Sequence, residues 1–322
     1  MPELPEVENL RLGLVRVIVG QKIRKVEVRK PKLISGKGTL RVASKRKKTE
    51  FLKGIKGEYF IAIERRAKNL IFKLSHKKVL LVHLKMSGQF VYLPSHKATA
   101  RQSKPLKTKV VSGGPARNAY SIAVAGGHPI ELSETELPNK HTHVTFELEK
   151  GTLYYNDTRM FGYLLYYKNT KSFEFENHFK LLGLEPLSPQ FTSKYFSSEL
   201  KERKGKIKAV LMDQKIVTGL GNIYADESLF EARIRPDRNP SSLSTPEVNK
   251  LYKAIVRIIR RAIKVGGSSV ATYRLLDDTR GNYAREHKVY GKAGKKCVNC
   301  GKPLEKTTTA GRTTIFCPRC QK

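Results

Sequence analysis

Apolar side chains recur along the chain with two periods, and the change of period divides it. Val7, Leu10, Leu14 and Val17 follow one another at helical spacing, so residues 5–19 predict a helix with one buried face. Pro5 suits a first helical turn, and Glu6 and Glu8 suit the positive end of the helix dipole. From about 22 to 93 the pattern becomes short strands, with runs at 22–28, 59–64, 70–74 and 79–84. Runs at 143–149, 152–156 and 162–167 continue the series, and short strands separated by turn residues predict a β-sandwich. After about 170 the helical period returns at 197–213, 222–232 and 246–265. In the last of these, Leu251, Ile255, Ile258, Ile259 and Ile263 share a face.

One long stretch follows neither period. Residues 95–139 are rich in Ser, Thr, Lys, Gly and Pro and include Ser112-Gly113-Gly114-Pro115 and Gly126-Gly127. A loop of that length inside a compact domain is uncommon and is usually functional or disordered. It reads as a basic insertion; a small hairpin without function is the alternative. A polar stretch at 268–295 then leads into a cysteine cluster. The layout predicts an α+β multidomain chain. An N-terminal β-sandwich domain spans 1–170 with the insertion at about 95–139, a helical domain spans 171–290, and a metal module spans 291–322.

Charge adds a partner. The 322 residues hold 63 Lys+Arg against 28 Asp+Glu, a net charge of +35. Such an excess predicts attraction to a polyanion, first of all nucleic acid, although phosphate contacts alone say nothing about chemistry. No run approaches the roughly 20 apolar residues of a membrane helix, so no membrane partner is expected. Glu3, Glu6 and Glu8 stand where a secretory leader would be basic and then apolar. A cytoplasmic, nucleoid-associated location is the expectation.

Cys297-x2-Cys300 and Cys317-x2-Cys320 have the spacing of a four-cysteine zinc site. Each Cys-x-x-Cys turn aims two thiolates at one point, and two turns complete a tetrahedron. Two disulfides are the alternative, and a reducing compartment favours zinc. Four thiolates close the coordination shell, so one structural Zn²⁺ is expected.

The start of the chain offers a nucleophile. A small second residue favours removal of the initiator methionine, which would leave Pro2 as a terminal secondary amine. A terminal amine has a reference pKa of about 7.7–8.0, so a neutral fraction exists near pH 7 and can attack an electrophilic carbon. Glu3 beside it can move protons. A frayed start before a helix is the simpler reading of the same residues.

Several motifs in order resolve that choice. The opening Pro2-Glu3-Leu4-Pro5-Glu6-Val7-Glu8 resembles that of the formamidopyrimidine-DNA glycosylases. So do Arg65-Arg66-Ala67-Lys68, His83-Leu84-Lys85-Met86-Ser87-Gly88, Lys140-His141-Thr142-His143-Val144 and Asp157-Thr158-Arg159-Met160-Phe161-Gly162. Gly219-Leu220-Gly221-Asn222-Ile223-Tyr224 and the terminal cysteines complete the set. The resemblance covers nearly the whole chain apart from 95–139. It implies a bifunctional glycosylase and abasic-site lyase that removes oxidised purines from double-stranded DNA, acting as a monomer.

By that resemblance Pro2 is the nucleophile on C1′, Glu3 the proton donor and acceptor, and Glu6 a support of the site. Lys68 assists catalysis at a phosphate, and Arg312 grips phosphates around the flipped nucleotide and takes part in catalysis at δ-elimination. Met86, Arg159 and Phe161 fill the gap left by the flipped base, as apolar wedges do at unstacked steps. Glu6 is also counted among the DNA contacts, together with His141, Lys204, Lys208 and Asn222. The stretch 213–229 resembles a helix–two-turn–helix, in which Asn222 opens a helix whose amides would hold phosphate.

The chain departs from the family pattern at 266–291. Ala271-Thr272 stand where a basic residue and Asp are common, and Gly281-Asn282-Tyr283 replaces a Gly-Tyr-Phe-like step. That loop covers the flipped base in the family, so lesion preference is open. An endonuclease VIII-like preference for oxidised pyrimidines and a catalytically silent zinc-finger DNA-binding protein are the competing readings.

Overall fold

The computed structural model describes residues 1–37, 41–95, 137–268 and 281–322, together with the backbone of 123–125. Helix α1 (Leu4–Ile18) opens the chain, with Glu3 and Glu6 forming a reciprocal capping box at its start. Its apolar stripe serves two cores. Val7, Leu10, Leu14 and Ile18 pack into the sandwich, whereas Leu4 lies in the core of the helical domain.

The sandwich consists of β1 (Ile23–Val28), β2 (Phe60–Arg66), β3 (Asn69–Leu74), β4 (Val79–His83), β5 (Gly88–Pro94), β6 (Ala123–Ala125), β7 (Thr142–Leu148), β8 (Gly151–Asp157) and β9 (Tyr163–Tyr167). One sheet has the order β1-β7-β8-β5-β6 and the other β2-β3-β4-β9, with antiparallel pairing throughout. Aromatic rings lock the sheets face to face. Phe72 on β3 meets Phe90 on β5 at 5.6 Å between centroids, and Phe60 on β2 meets Phe146 on β7 at 6.4 Å. Within the stretch expected to be an insertion, β6 pairs with β5 at the sheet edge; most of that stretch lies outside the described residues.

The expectation of strands alone between 22 and 93 needs correction. Residues Lys45–Ile55 form helix α2, started by the Ser44 hydroxyl, which accepts from the Lys47 amide at 3.2 Å. Phe51 and Ile55, one turn apart, bury the only strongly apolar side of an otherwise basic segment. The charged residues between them hide the period in the sequence.

The helical domain contains α3 (Phe173–Phe179), α4 (Ser193–Lys201), α5 (Ile207–Met212), α6 (Asn222–Ala232), α7 (Thr245–Lys264) and α8 (Tyr283–Glu286). The helix expected over 197–213 is two helices, because Gly205 adopts φ +93° and turns the chain between α4 and α5. On α7 the anticipated face is buried against α6 through Leu251, Ile255, Ile258 and Ile259. No helix among the described residues is long and apolar enough to cross a membrane.

Strands β10 (Glu305–Thr309) and β11 (Arg312–Phe316) form the terminal hairpin, closed at Ala310-Gly311 with both φ positive. Its small core of Val289, Leu304, Ile315 and the cysteines closes over Phe230 of α6. A carboxylate ties the incoming chain to the same helix, since Glu227 accepts from the amides of Lys288, Val289 and Tyr290 at 2.8–3.0 Å.

Candidate active site and DNA-facing surfaces

Because α1 bridges two cores, its first residues stand at their junction. The Leu4 amide donates to the Gly219 carbonyl at 3.0 Å, which leaves Pro2 just ahead of the contact, half-buried. Glu3 is 4% exposed, and its carboxylate accepts from the amides of Ile223 at 3.0 Å and Tyr224 at 3.4 Å, in the first turn of α6. That approach requires Gly221, where a Cβ would lie 2.5 Å from the Glu3 carboxyl carbon. The helix amides expected to receive a phosphate are therefore already taken by a carboxylate of the protein itself.

Glu6 lies one turn deeper. It accepts from the Glu3 amide at 2.8 Å, the Tyr224 hydroxyl at 2.6 Å and the Ser268 amide at 2.7 Å. At 3% exposure it is an internal brace of the site and does not reach DNA, which corrects the expectation of a direct contact. Tyr224, which has no role legible in its motif, joins α6 to α1 through its hydroxyl.

Lys68 follows the tight turn between β2 and β3, where Ala67 has φ +54°. The Arg65-Arg66-Ala67-Lys68 motif has a mechanical reason. Arg65 spans Glu8 of α1 at 2.8 Å and Glu185 at 2.7 Å, and Glu185 also accepts from the Ala67 amide at 2.6 Å. This clamp sets Lys68, whose Nζ donates to the Leu220 carbonyl at 2.7 Å.

Burial tunes these groups in opposite directions. It pushes the Glu3 carboxyl up to about 7, against the opposing pull of Lys68 and the two amides. It lowers Lys68, although Glu3 and Glu6 favour its charge. It also lowers the amino group of Met1, one residue ahead of Pro2, which feels Glu3, Glu6, Lys68 and Arg312. Arg312, exposed at the start of β11, thus acts electrostatically on both the terminal amine and Lys68. A cavity of about 230 Å³ opens beside them, lined by Met1, Lys68, Asn69, His83, Lys85 and Tyr163 among others. An amine eased toward neutrality, a carboxyl that titrates near neutral pH and a desolvated ammonium suit nucleophilic attack coupled to proton transfer.

The three residues expected to fill the gap come together on the sandwich side. The Arg159 guanidinium donates to the Met86 sulfur at 3.2 Å and lies 4.7 Å from the Phe161 ring centre, with Phe161 47% exposed. Two residues that sequence reasoning left without a role hold this loop. Asp157 accepts from the amides of Arg159, Met160 and Gly162 at 3.2, 3.0 and 2.7 Å. Arg41 takes the carbonyls, donating to Met160 at 2.6 Å and to Gly162. Asp157 was visible in its motif; Arg41 lies 121 positions away and carries no local signal.

The remaining candidate residues fall differently. His141 is half-buried beside the loop, its carbonyl accepting from the Asp157 amide at 3.0 Å. Lys204 stands exposed in the break between α4 and α5. Asn222 donates to the Thr313 carbonyl at 3.0 Å, so it touches the terminal hairpin. Lys208 is a correction. Its side chain is fully buried and paired with Asp226 at 2.7 Å, with further bonds to Thr314 Oγ1 at 2.8 Å and the Thr313 carbonyl at 3.0 Å. It docks the hairpin on the helical domain and presents no charge to a DNA backbone. Residues 269–280, which include Ala271-Thr272, lie outside the described residues.

The four cysteines fit one metal ion. They form no disulfide, and their sulfurs lie within 4.8 Å of one another, with Cys297–Cys320 at 3.9 Å and Cys300–Cys317 at 3.5 Å. A tetrahedron with Zn–S of about 2.3 Å has edges of roughly 3.8 Å.

Comparison with known proteins agrees along the length. The family model of the formamidopyrimidine-DNA glycosylase N-terminal domain matches residues 1–164, that of the H2TH domain of the same enzymes matches 182–274, and a zinc finger found in FPG and IleRS matches 294–322. The formamidopyrimidine-DNA glycosylases of Carboxydothermus hydrogenoformans and Listeria innocua are 37% and 38% identical, each over the whole of both chains. Among solved structures, a Lactococcus lactis FPG variant in complex with Fapy-dG-containing DNA superposes with a TM-score of 0.79 at 33% identity, covering both chains completely. A MutM complex with DNA containing carbocyclic 8-oxo-G gives 0.78 at 32% identity, also over both full chains.

Proposed function

The chain belongs to the formamidopyrimidine-DNA glycosylase family, and from that premise we propose that it excises oxidised purines through Pro2 and then cleaves the strand at the resulting site. It is a DNA glycosylase of base excision repair; the lyase step is a general property of the family. The observation that supports this reading of the residues is that Met1 and Lys68 line one cavity, while Glu3, next to Pro2, is bound to the start of α6 and shares the field of Lys68.

The substrate is damaged double-stranded DNA, of the kind found with its structural relatives. The damaged nucleotide must leave the stack, at a cost of a few kcal/mol. Met86, Arg159 and Phe161 fill its place, and Arg312 and Lys68 meet the phosphates beside it. With Met1 removed, the neutral amine of Pro2 attacks C1′. The bond from C1′ to the base breaks, and the base leaves with the electron pair and gains a proton.

Glu3 protonates the ring oxygen, so the sugar opens and an iminium remains between Pro2 and C1′. A carboxyl near its midpoint at neutral pH can give that proton and later take one. The iminium draws electrons, so loss of a C2′ proton expels the 3′ phosphate and loss of a C4′ proton expels the 5′ phosphate. Hydrolysis of the iminium frees Pro2. Zn²⁺ on Cys297, Cys300, Cys317 and Cys320 supplies a structural crosslink, and the hairpin it stabilises carries Arg312.

We divide the chain into 1–170, 171–290 and 291–322, and place it as a monomer at the nucleoid in the cytoplasm. Borohydride added during incubation with abasic duplex DNA should trap a covalent complex on Pro2, and intact-mass measurement of active protein should show Met1 absent. Active protein that retains Met1, or an untrapped strand cut, would refute the mechanism.

A further inference from the structure

A second, larger concavity lies along β9, beyond the catalytic cavity. Its volume is about 840 Å³, within the range of sites that enclose a nucleotide-sized ligand. Its wall includes Lys37, Arg46, Lys47 and Lys168 against Glu50 and Glu174. The helix α2 beside it reads Lys45-Arg46-Lys47-Lys48 in its first turn, with Glu50 its lone acid. Arg46 and Lys168 are exposed, and no ion pair engages either of them among the described residues.

Two features make this more than a charged surface. Lys37 and His178 line both this groove and the small cavity beside Lys68, so the two spaces adjoin. Strand β9 runs between them, from Tyr163 on the catalytic cavity to Tyr167 on the groove, a path of roughly 13 Å at about 3.3 Å per residue. The groove also offers rings. Phe173 is 77% exposed on its wall, and Tyr167 stands near it in sequence and lines the same space. Cations alone would serve a duplex backbone equally well. An open aromatic ring is useful only where base faces are free, because a duplex hides them in its stack.

We propose that the groove between α2, β9 and α3 binds an unpaired segment of the DNA strand that passes through the catalytic cavity, with its phosphates on Arg46, Lys47 and Lys168 and a base on Phe173. The inference rests on the DNA-directed function above. It implies a preference for lesions beside single-stranded DNA, such as those near gaps or flaps.

The test compares two probes carrying one abasic-site analogue. One is a blunt duplex that only fills the cleft; the other is the same duplex with an unpaired thymidine tail of about ten nucleotides on the damaged strand, at either end. The full-length protein should bind one tailed probe more tightly than the blunt one. Phe173→Ala should remove about tenfold of that gain, the size of one lost base–aromatic stack. Arg46→Glu with Lys168→Glu should remove the gain and flatten its salt dependence, while blunt-duplex binding, and excision from a blunt duplex carrying an oxidised purine, stay as in the parent. All three side chains are exposed, and melting curves check that the variants remain folded.

Equal losses on blunt and tailed probes would overturn the proposal in favour of general electrostatics. So would a tail effect indifferent to Phe173, or an equal gain from a duplex extension. Absence of borohydride trapping on a blunt duplex carrying a natural abasic site in the parent protein would instead sink the catalytic reading, which separates the two failures.

Discussion

Lys68 and Lys208 are both buried lysines at the edge of the helical domain, and the protein uses them in opposite ways. Lys208 spends its three protons on Asp226, Thr314 and Thr313 and is sealed by the zinc hairpin. Among the described residues Lys68 makes one hydrogen bond, to Leu220, on the wall of an open cavity within the field of Glu3. An ammonium with satisfied donors holds structure together. One with donors in reserve, desolvated and facing a cavity, is available to a substrate phosphate. Burial alone does not separate the two; the partners do.

The sharpest break between them is functional. Lys68→Ala should lower base excision by about 10²–10⁴-fold, as loss of a group active in proton transfer or charge stabilisation does. Its melting temperature should hold or rise, because a poorly solvated charge is removed. An enzyme that keeps full excision with alanine there would reduce Lys68 to a bystander.

Lys208→Ala should do the reverse. Asp226 would be left buried without its cation, at a loss of about 3–5 kcal/mol in unfolding free energy. Pairing Lys208→Met with Asp226→Leu should restore much of that loss, since an apolar pair replaces an ionic one. Denaturant melts of the single and double variants read this directly, and a single variant as stable as the parent would show that the pair carries no weight.

Glu3 belongs to the Lys68 side, where burial is only partly compensated. Its carboxyl titrates at about 7 in the folded chain against 4.5 ordinarily. A raised carboxyl contributes stability that is fully present below pH 4.5 and is lost as pH rises through 7. The difference corresponds to about 3 kcal/mol. Glu3→Gln should abolish excision, and its stability relative to the parent should improve by about that amount between pH 4 and 8. A relative change of the opposite sign would mean that Lys68 and the α6 amides outweigh burial.

The smallest effect concerns the loop on the far side of the cavity. Arg41→Ala should reduce excision from duplex DNA about tenfold, the scale of one charge-assisted bond pair. Cleavage of an abasic site in a single strand, which needs no gap filled, should change far less. Equal losses on both substrates would show that Arg41 merely supports the sandwich.

Much of this architecture was legible because local pattern and final packing agree. The stripe of α1, the face of α7 and the strand runs around Phe72 and Phe146 all report burial on one side of a regular element. The cysteines are legible for a different reason, since two Cys-x-x-Cys turns have few other physical uses. Helix α2 was not legible, because its apolar side is narrow and its lysines dominate the composition. The roles of Glu6 and Lys208 were misjudged for one shared reason: a charged residue in a DNA-binding chain reads as a contact until its partners are seen.

The amino-acid sequence by itself determined the order of the domains, the family, the metal module and the residues proposed as nucleophile and proton carrier. These follow from chemistry that each residue carries wherever it is placed. Tertiary structure alone decided which charges are spent inside and which remain for the substrate. That depends on neighbours brought from far along the chain: Gly221 admitting Glu3 to the start of α6, Asp226 absorbing Lys208, and Arg41 reaching the loop of Phe161. Desolvation and hydrogen-bond partners are properties of a place, and no residue has a place until the chain has folded.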